Sequence, residues 1–185
     1  MNTTGQPASA YFLEDRKDPI EAHTLSIIVD NEPGVLARVI GLFSGRGYNI
    51  ESLTVSETEH EKHVSRITIV TRGTPMVLEQ IKSQLERLVP VHSVADLTVT
   101  GNAIERELAL VKVAGAGEHR VEALRMAEAF RARVVDATNS SFVFELTGKP
   151  AKIEQFIALM QPLGLREVVR TGIAAISRGA DALKV

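Results

Sequence analysis

Apolar positions near the start of the chain change from the period of a strand to the period of a helix. Residues 23–30, "HTLSIIVD", are rich in β-branched side chains and end in turn formers, which predicts a strand. From residue 35 to residue 43 the apolar positions recur at helical spacing, and Gly45 and Gly47 predict the end of that helix. Residues 31–34 join the two elements.

The pattern that follows completes one α+β unit. It predicts two strands around a charged turn, then a helix opened by Pro75, then a fourth strand. These three strands lie at residues 49–58, 64–73 and 91–99. The order strand, helix, strand, strand, helix, strand predicts a split βαβ sandwich, with two helices on one face of an antiparallel sheet.

The second half of the chain repeats this order of elements without repeating the letters. The predicted elements are a strand at 106–115, a helix at 121–130, a hairpin pair at 133–140 and 142–148, a helix at 153–163 and a last strand at 166–177. The predicted fold class is therefore α+β, with two tandem ferredoxin-like sandwiches. The polar stretch 100–105 predicts the boundary, which gives domains at 23–99 and 105–180 after a mobile N-terminal tail at 1–22.

Composition and charge narrow the class of function. The chain has 185 residues, 44% of them hydrophobic and 4% aromatic, which suits two small cores. Its 21 Lys and Arg against 23 Asp and Glu leave a net charge of −2, so no basic excess favours nucleic acid. There is no cysteine, which fits a reducing cytoplasm, and no apolar run reaches the roughly 20 residues of a membrane-spanning helix.

The joint between the first strand and the first helix has the composition of an anion site. Pro33 suits the first turn of a helix, because its missing N–H would have no partner there. Gly34 has no side chain to shield the amides that follow. A helix N-terminus with free N–H groups and a partial positive charge binds carboxylate or phosphate.

The joint after the first helix offers a second polar group. Asn31, before the first turn, and Asn49, after "GRGY", carry side-chain amides that can accept from an ammonium or donate to a carboxylate. A free amino acid with a small aliphatic side chain would suit the apolar residues nearby, which are Val35, Leu36 and Ile50. The alternative interpretation is that Asn, Pro and Gly only build turns here.

Several long segments resemble one known family. They are "DNEPGVLARVIGLFSGRGYNIESLTV", "SRITIV", "VLEQIKSQLERLVPVHSV", "RELALVKV", "FRARVVDAT" and "LREVVRTGIAAISRG". Together they resemble the small regulatory subunit of acetohydroxyacid synthase (acetolactate synthase), whose first domain is an ACT domain. The resemblance covers the chain from about His23 to Gly179.

This resemblance implies a non-catalytic partner of a thiamine-diphosphate enzyme, which raises the enzyme's activity and makes it sensitive to valine. It implies a homodimer or higher oligomer through the ACT domains, with valine or another branched-chain amino acid bound at their interface. Asn31, Gly34 and Asn49 stand at the family's effector-contact positions, with Val35, Leu36 and Ile50 alongside. Thiamine diphosphate, Mg²⁺ and FAD are expected in the catalytic subunit, and no cofactor, metal or catalytic residue is expected in this chain.

Three other patterns have plain structural explanations. Gly115-Ala-Gly117 lies between a strand and a helix, but Arg120 stands where a dinucleotide fingerprint needs its third glycine, so we interpret it as a turn. His60 and His63, with Glu59 and Glu61, are interpreted as a solvated loop because no third fixed ligand accompanies them. Glu105 and Glu107 are interpreted as a charged strand start.

Two other classes of function stay open. An amino-acid-responsive ACT-domain protein could regulate another enzyme or transcription, although no basic recognition element is visible. A small enzyme would need a catalytic set, and the Ser and His residues do not form a recognisable triad pattern.

Overall fold

The computed structural model describes residues 19–59, 63–99, 101, 103–180 and 182–183. Most of the predicted tail, residues 1–18, lies outside the described residues, as do His60 and Glu61 of the histidine-containing loop. The N-terminal unit comprises β1 (Glu21–Asp30), α1 (Val35–Arg46), β2 (Ser52–Glu59), β3 (Val64–Gly73), α2 (Pro75–Leu85) and β4 (Val91–Asp96). The C-terminal unit comprises β5 (Ala103–Ala114), α3 (Gly117–Phe130), β6 (Arg133–Ala137), β7 (Ser141–Gly148), α4 (Pro150–Met160), β8 (Leu165–Arg170) and β9 (Ala174–Ser177).

The N-terminal unit is an antiparallel sheet of order β2-β3-β1-β4 with two helices against one face. Alternate residues of β1 and β3 point toward the helices and form the core with the apolar stripes of α1 and α2. The fully buried members include Leu25, Ile27, Val39, Phe43, Ile67, Ile69, Ile81 and Leu85. The predicted split βαβ sandwich is confirmed for this unit.

The C-terminal unit repeats the design with the order β6-β7-β5-β8. Its core contains more aromatic side chains than that of the N-terminal unit. Two of them, Phe144 and Phe156, meet edge to face with 6.2 Å between their ring centroids. The other core side chains come from β5, β7, α3 and α4, and include Val111, Val113, Ala123, Leu146, Ile153 and Met160. The predicted tandem α+β fold is therefore confirmed.

Two element boundaries differ from the sequence prediction. Gly45 lies inside α1, and the helix ends only at Gly47, whose N–H bonds to the carbonyls of Phe43 and Ser44. The predicted last strand at 166–177 is broken into β8 and β9, which both pair with β5. Three residues lie between Arg170 and Ala174 while two lie between their partners on β5, so one extra residue forms a β-bulge at 171–173.

The face of the N-terminal sheet opposite its helices is covered by the C-terminal unit. Thr24 and Ser26 point away from the helices, yet they are 4% and 0% exposed. Strand β9 lies against β1, and the Thr24 hydroxyl donates to a carboxylate oxygen of Glu105 at 2.6 Å. Glu105 therefore contacts the other unit, which the interpretation as a charged strand start missed.

A buried carboxylate anchors the end of β8. Glu107 is 4% exposed, and Arg170 donates to both its oxygens, from Nε at 2.7 Å and from Nη2 at 2.6 Å. The Nη1 group of Arg170 bonds to Glu154 on α4. The hydrogen bonds to Glu107 raise the pKa of Arg170, partial desolvation opposes this, and Glu154 reinforces it. The pair joins β5, β8 and α4.

We expect Arg170→Ala to lower the free energy of unfolding by about 3 kcal/mol, because it leaves the Glu107 carboxylate buried without its partner. The matched control is Arg133→Ala, which breaks the more exposed Arg133–Glu145 pair and should cost less than about 1 kcal/mol. Urea denaturation of both variants measures the difference. An equally small loss in the two variants would contradict the anchoring role of Arg170.

Candidate effector site

The first joint is held in place by its backbone. The Asp30 N–H donates to the carbonyl of Pro90 at 2.9 Å, and the Asn31 N–H donates to the carbonyl of His63 at 2.6 Å. A hydrogen bond of 2.6 Å between His92 Nε2 and Asp30 Oδ1 adds a side-chain contact to β4. The Asn31 side chain is exposed at the surface of this fixed loop.

The start of α1 leaves backbone donors open. Gly34 is the N-cap, with a φ of 89° that favours glycine, and no side chain caps the helix. Its carbonyl accepts from the amide of Arg38, but in the part of the chain that the structure describes no backbone carbonyl accepts from the amides of Leu36 and Ala37. The first turn carries no acidic residue, so its partial positive charge is not offset there.

The predicted position of Pro33 in the first turn is wrong. Val35 is the first helical residue, and Pro33 precedes the N-cap. The reason is the left-handed conformation of Gly34, which turns the chain between the proline and the helix. The open amides begin at Leu36, two residues after Gly34, where the sequence placed their start.

The second joint is fixed by β3. Asn49 is exposed, and its carbonyl accepts from the Thr71 hydroxyl at 2.6 Å. Two residues further along the chain, the N–H of Glu51 donates to the carbonyl of Val70 at 2.8 Å. The polar group of Asn49 is therefore displayed at the surface while its backbone is tied to the sheet.

The two joints lie at opposite ends of the same helix. The 12 residues of α1 give it a length of about 18 Å. The contacts with the sheet show the same separation, because Asn31 bonds near the His63 end of β3 and Asn49 near the Thr71 end. The structure brings Asn31 and Gly34 together in one loop, but within one chain a free amino acid is too short to contact both joints.

The three apolar residues of the predicted site have different surroundings. Val35 is 3% exposed and packs in the core, so it holds the helix start from beneath. Leu36 is 36% exposed, and Ile50 is half-buried against the same core. Leu36 and Ile50 are the two that offer apolar surface near the joints.

The structure also places the residues of the other patterns. Gly115 follows β5 and Gly117 is the first residue of α3. The sheet beside them is antiparallel, unlike the parallel sheet of a dinucleotide-binding fold. His63 contributes its backbone carbonyl to the first joint. Among the described residues, no group of three or more His, Asp or Glu side chains is arranged to hold a metal ion, and no helix is long and apolar enough to cross a membrane.

Comparison with known proteins now identifies the family. Residues 25–93 match the family model described as the AHAS small subunit-like ACT domain, and residues 106–179 match the model for the small subunit of acetolactate synthase. The probable acetolactate synthase small subunit of Archaeoglobus fulgidus is 46% identical over 157 residues, which cover 85% of this chain and 97% of that protein. The chain belongs to the acetolactate synthase small subunits.

Two further members of the acetolactate synthase small subunits support this assignment. The isozyme 3 small subunit of Escherichia coli is 46% identical over 84% of this chain and 94% of its own length. The crystal structure of the small subunit from Thermotoga maritima has a TM-score of 0.78 and 37% identity, over 87% of this chain and 99% of that one. The resemblance inferred from the sequence motifs is confirmed, and the match extends through both units.

Sequence reasoning missed the contacts between the two units. Ser52 and Thr54 on β2 bond to the backbone of Ile173, which follows them by more than 100 positions. It also missed the Glu107–Arg170 pair inside the C-terminal unit, whose members are 63 positions apart. The only signal in the sequence was Gly172, within the predicted last strand, because a glycine inside a strand pattern indicates a bulge or a close approach.

Proposed function

We propose that this chain is the regulatory subunit of acetohydroxyacid synthase in branched-chain amino-acid biosynthesis. It binds the catalytic subunit, raises its activity and makes it sensitive to feedback inhibition by valine. Membership in the small-subunit family supports the partner, and the solvent-facing joints at the two ends of α1 support an amino-acid effector. The proposal assigns thiamine diphosphate, Mg²⁺ and FAD to the catalytic subunit and keeps the expected cytoplasmic location.

The effector site in this proposal is shared between two copies of the chain. Strand β2 is an edge of the N-terminal sheet, and Val55 on it is 46% exposed. Because β3 lies between β1 and β2, the β1–α1–β2 connection carries α1 toward this edge, while α2 packs beside β3 and β4. Two-fold pairing of β2 with its copy places the two α1 helices side by side and antiparallel.

That pairing brings the Gly34 end of one α1 next to the Asn49 end of the other. The effector carboxylate accepts from the open amides of Leu36 and Ala37 and from the Asn31 side chain. The ammonium donates to the side-chain oxygen of Asn49 from the second copy. A small aliphatic side chain packs on the exposed part of Leu36, where a charged side chain would lose its hydration.

Inhibition follows from a difference in affinity between two arrangements of the dimer. A ligand shifts an equilibrium only if it binds one state more tightly than the other. Valine therefore stabilises the arrangement that activates the catalytic subunit less well, and by linkage the catalytic subunit in its activated state weakens valine binding.

We expect the purified chain alone to form no acetolactate from pyruvate, and to raise the turnover of an acetolactate synthase catalytic subunit when the two are mixed. Adding valine to the mixture should lower the rate toward that of the catalytic subunit alone. Product formation by this chain without its partner, or an unchanged rate on mixing, would contradict the proposed function.

We expect Gly34→Asp to weaken inhibition by valine while activation of the partner survives. The new carboxylate lies where the effector carboxylate binds, and the open space around Gly34 leaves room for it. The control is Gly34→Asn, which has the same shape without the charge and adopts the left-handed conformation at low cost. A valine titration of each reconstituted variant should show a loss of at least about tenfold in apparent affinity that is larger for Asp than for Asn. Equal inhibition of Gly34→Asp and wild type would leave this joint as a plain turn.

A further inference from the structure

The β-bulge at 171–173 has its backbone turned toward the N-terminal unit. Thr171 stays paired with β5, because its N–H donates to the carbonyl of Leu108 at 3.0 Å. The next two residues leave the sheet. Gly172 has a φ of 85°, which releases the chain from the extended conformation before β9 resumes pairing with β5.

Two hydroxyl groups of β2 hold the peptide groups of Ile173. The Ile173 N–H donates to Ser52 Oγ at 2.8 Å, and the Thr54 hydroxyl donates to the Ile173 carbonyl at 3.0 Å. Ser52 and Thr54 point to the same face of β2 because alternate residues of a strand share a face. We call these two hydrogen bonds the Ile173 clasp.

The clasp requires a close approach of the two backbones. A Cβ atom built on Gly172 would lie 2.9 Å from Ser52 Oγ and 3.0 Å from Thr54 Cγ2. Beside the clasp the two units are separated by a cleft of about 560 Å³, lined from both sides by residues that include Leu53, Arg72, Pro150 and Arg170. At this end of the interface the units therefore meet through specific hydrogen bonds next to an open space.

Each side of the clasp is tied to a different part of the molecule. On the C-terminal side, the bulge directly follows Arg170, which the buried Glu107 and Glu154 hold to β5 and α4. On the N-terminal side, Ser52 is the first residue of β2 and lies three positions after Asn49. In the proposed dimer β2 pairs with β3 on one side and with its copy on the other, so a change in the arrangement of the two copies reaches the start of β2.

We infer that the Ile173 clasp is the connection through which effector occupancy at the second joint reaches the C-terminal unit. This inference rests on the proposed function and adds to it the residues that carry regulation. Binding at Asn49 repositions the start of β2, and the clasp moves the bulge with it. Because the Arg170 pair fixes the bulge to β5 and α4, the C-terminal unit moves as a body instead of absorbing the shift locally.

The test uses the double variant Ser52→Ala/Thr54→Val in the reconstituted holoenzyme. The changes remove both hydroxyls and keep the volume of Thr54 nearly constant. We expect valine to bind the purified variant chain with a Kd within about twofold of wild type, while the maximal inhibition of the holoenzyme at saturating valine falls by at least about half. Amide hydrogen exchange should become faster at Ile173, which loses its acceptor, and stay unchanged at Thr171, which bonds within its own unit.

Two control variants separate the clasp from a general effect on β2. Ser56 lies on the same face of the strand, two residues beyond Thr54, and the holoenzyme with Ser56→Ala should keep full inhibition by valine. Thr54→Ser keeps the donor and should also keep full inhibition. If the double variant does not fold, Ser52→Ala alone, which removes one of the two hydrogen bonds, carries the same test with a smaller loss.

The outcomes distinguish this inference from the proposed function. If valine fully inhibits the holoenzyme that contains the double variant, while exchange at Ile173 is faster, the inference is overturned and the proposed function stays intact. A loss of inhibition that is matched by an equal loss of valine binding would also overturn it, because Ser52 and Thr54 would then belong to the binding site. A wild-type chain that does not bind valine would contradict the proposed function itself, and the inference would fall with it.

Discussion

The length of α1 sets the geometry on which the proposed site depends. An α-helix rises about 1.5 Å per residue, so the 12 residues from Val35 to Arg46 hold the two joints about 18 Å apart. In the proposed site the first joint binds the effector carboxylate through its open amides and Asn31, and the second joint binds the ammonium through the side-chain oxygen of Asn49. A site that uses both has to be completed by a second copy of the chain, which makes effector binding and self-association one equilibrium.

The C-terminal unit has a structural role for the N-terminal unit that does not depend on regulation. It covers the face of the N-terminal sheet that carries Thr24 and Ser26, which would otherwise be open to water. The contacts across this interface include polar ones, with Thr24 bonded to Glu105 and the Ile173 clasp at β2. Polar contacts beside a cleft suit an interface that changes its arrangement, because such interfaces between domains resemble transient ones.

Much of the fold could be predicted because the spacing of apolar residues within each element indicates whether it is a strand or a helix. The β-branched run at residues 23–30 predicts the first strand, and the helical spacing from Val35 to Phe43 predicts the buried face of the first helix. The residues at the joints could be named for the same reason, since they are turn formers beside these elements. What could not be predicted depends on distant pairing: the burial of Glu107 against Arg170, and the separation of the two joints along β3.

The most direct test of a site shared between two chains is a heterodimer of two defective variants. Gly34→Asp damages the first joint, and Asn49→Ala damages the second, so each homodimer has two impaired sites. A heterodimer purified through two different affinity tags has one doubly impaired site and one site with both joints intact. Valine titration by calorimetry should then show about one high-affinity site per heterodimer and none in either homodimer. Absence of a high-affinity site in the heterodimer would contradict a site built by two copies from opposite ends of α1.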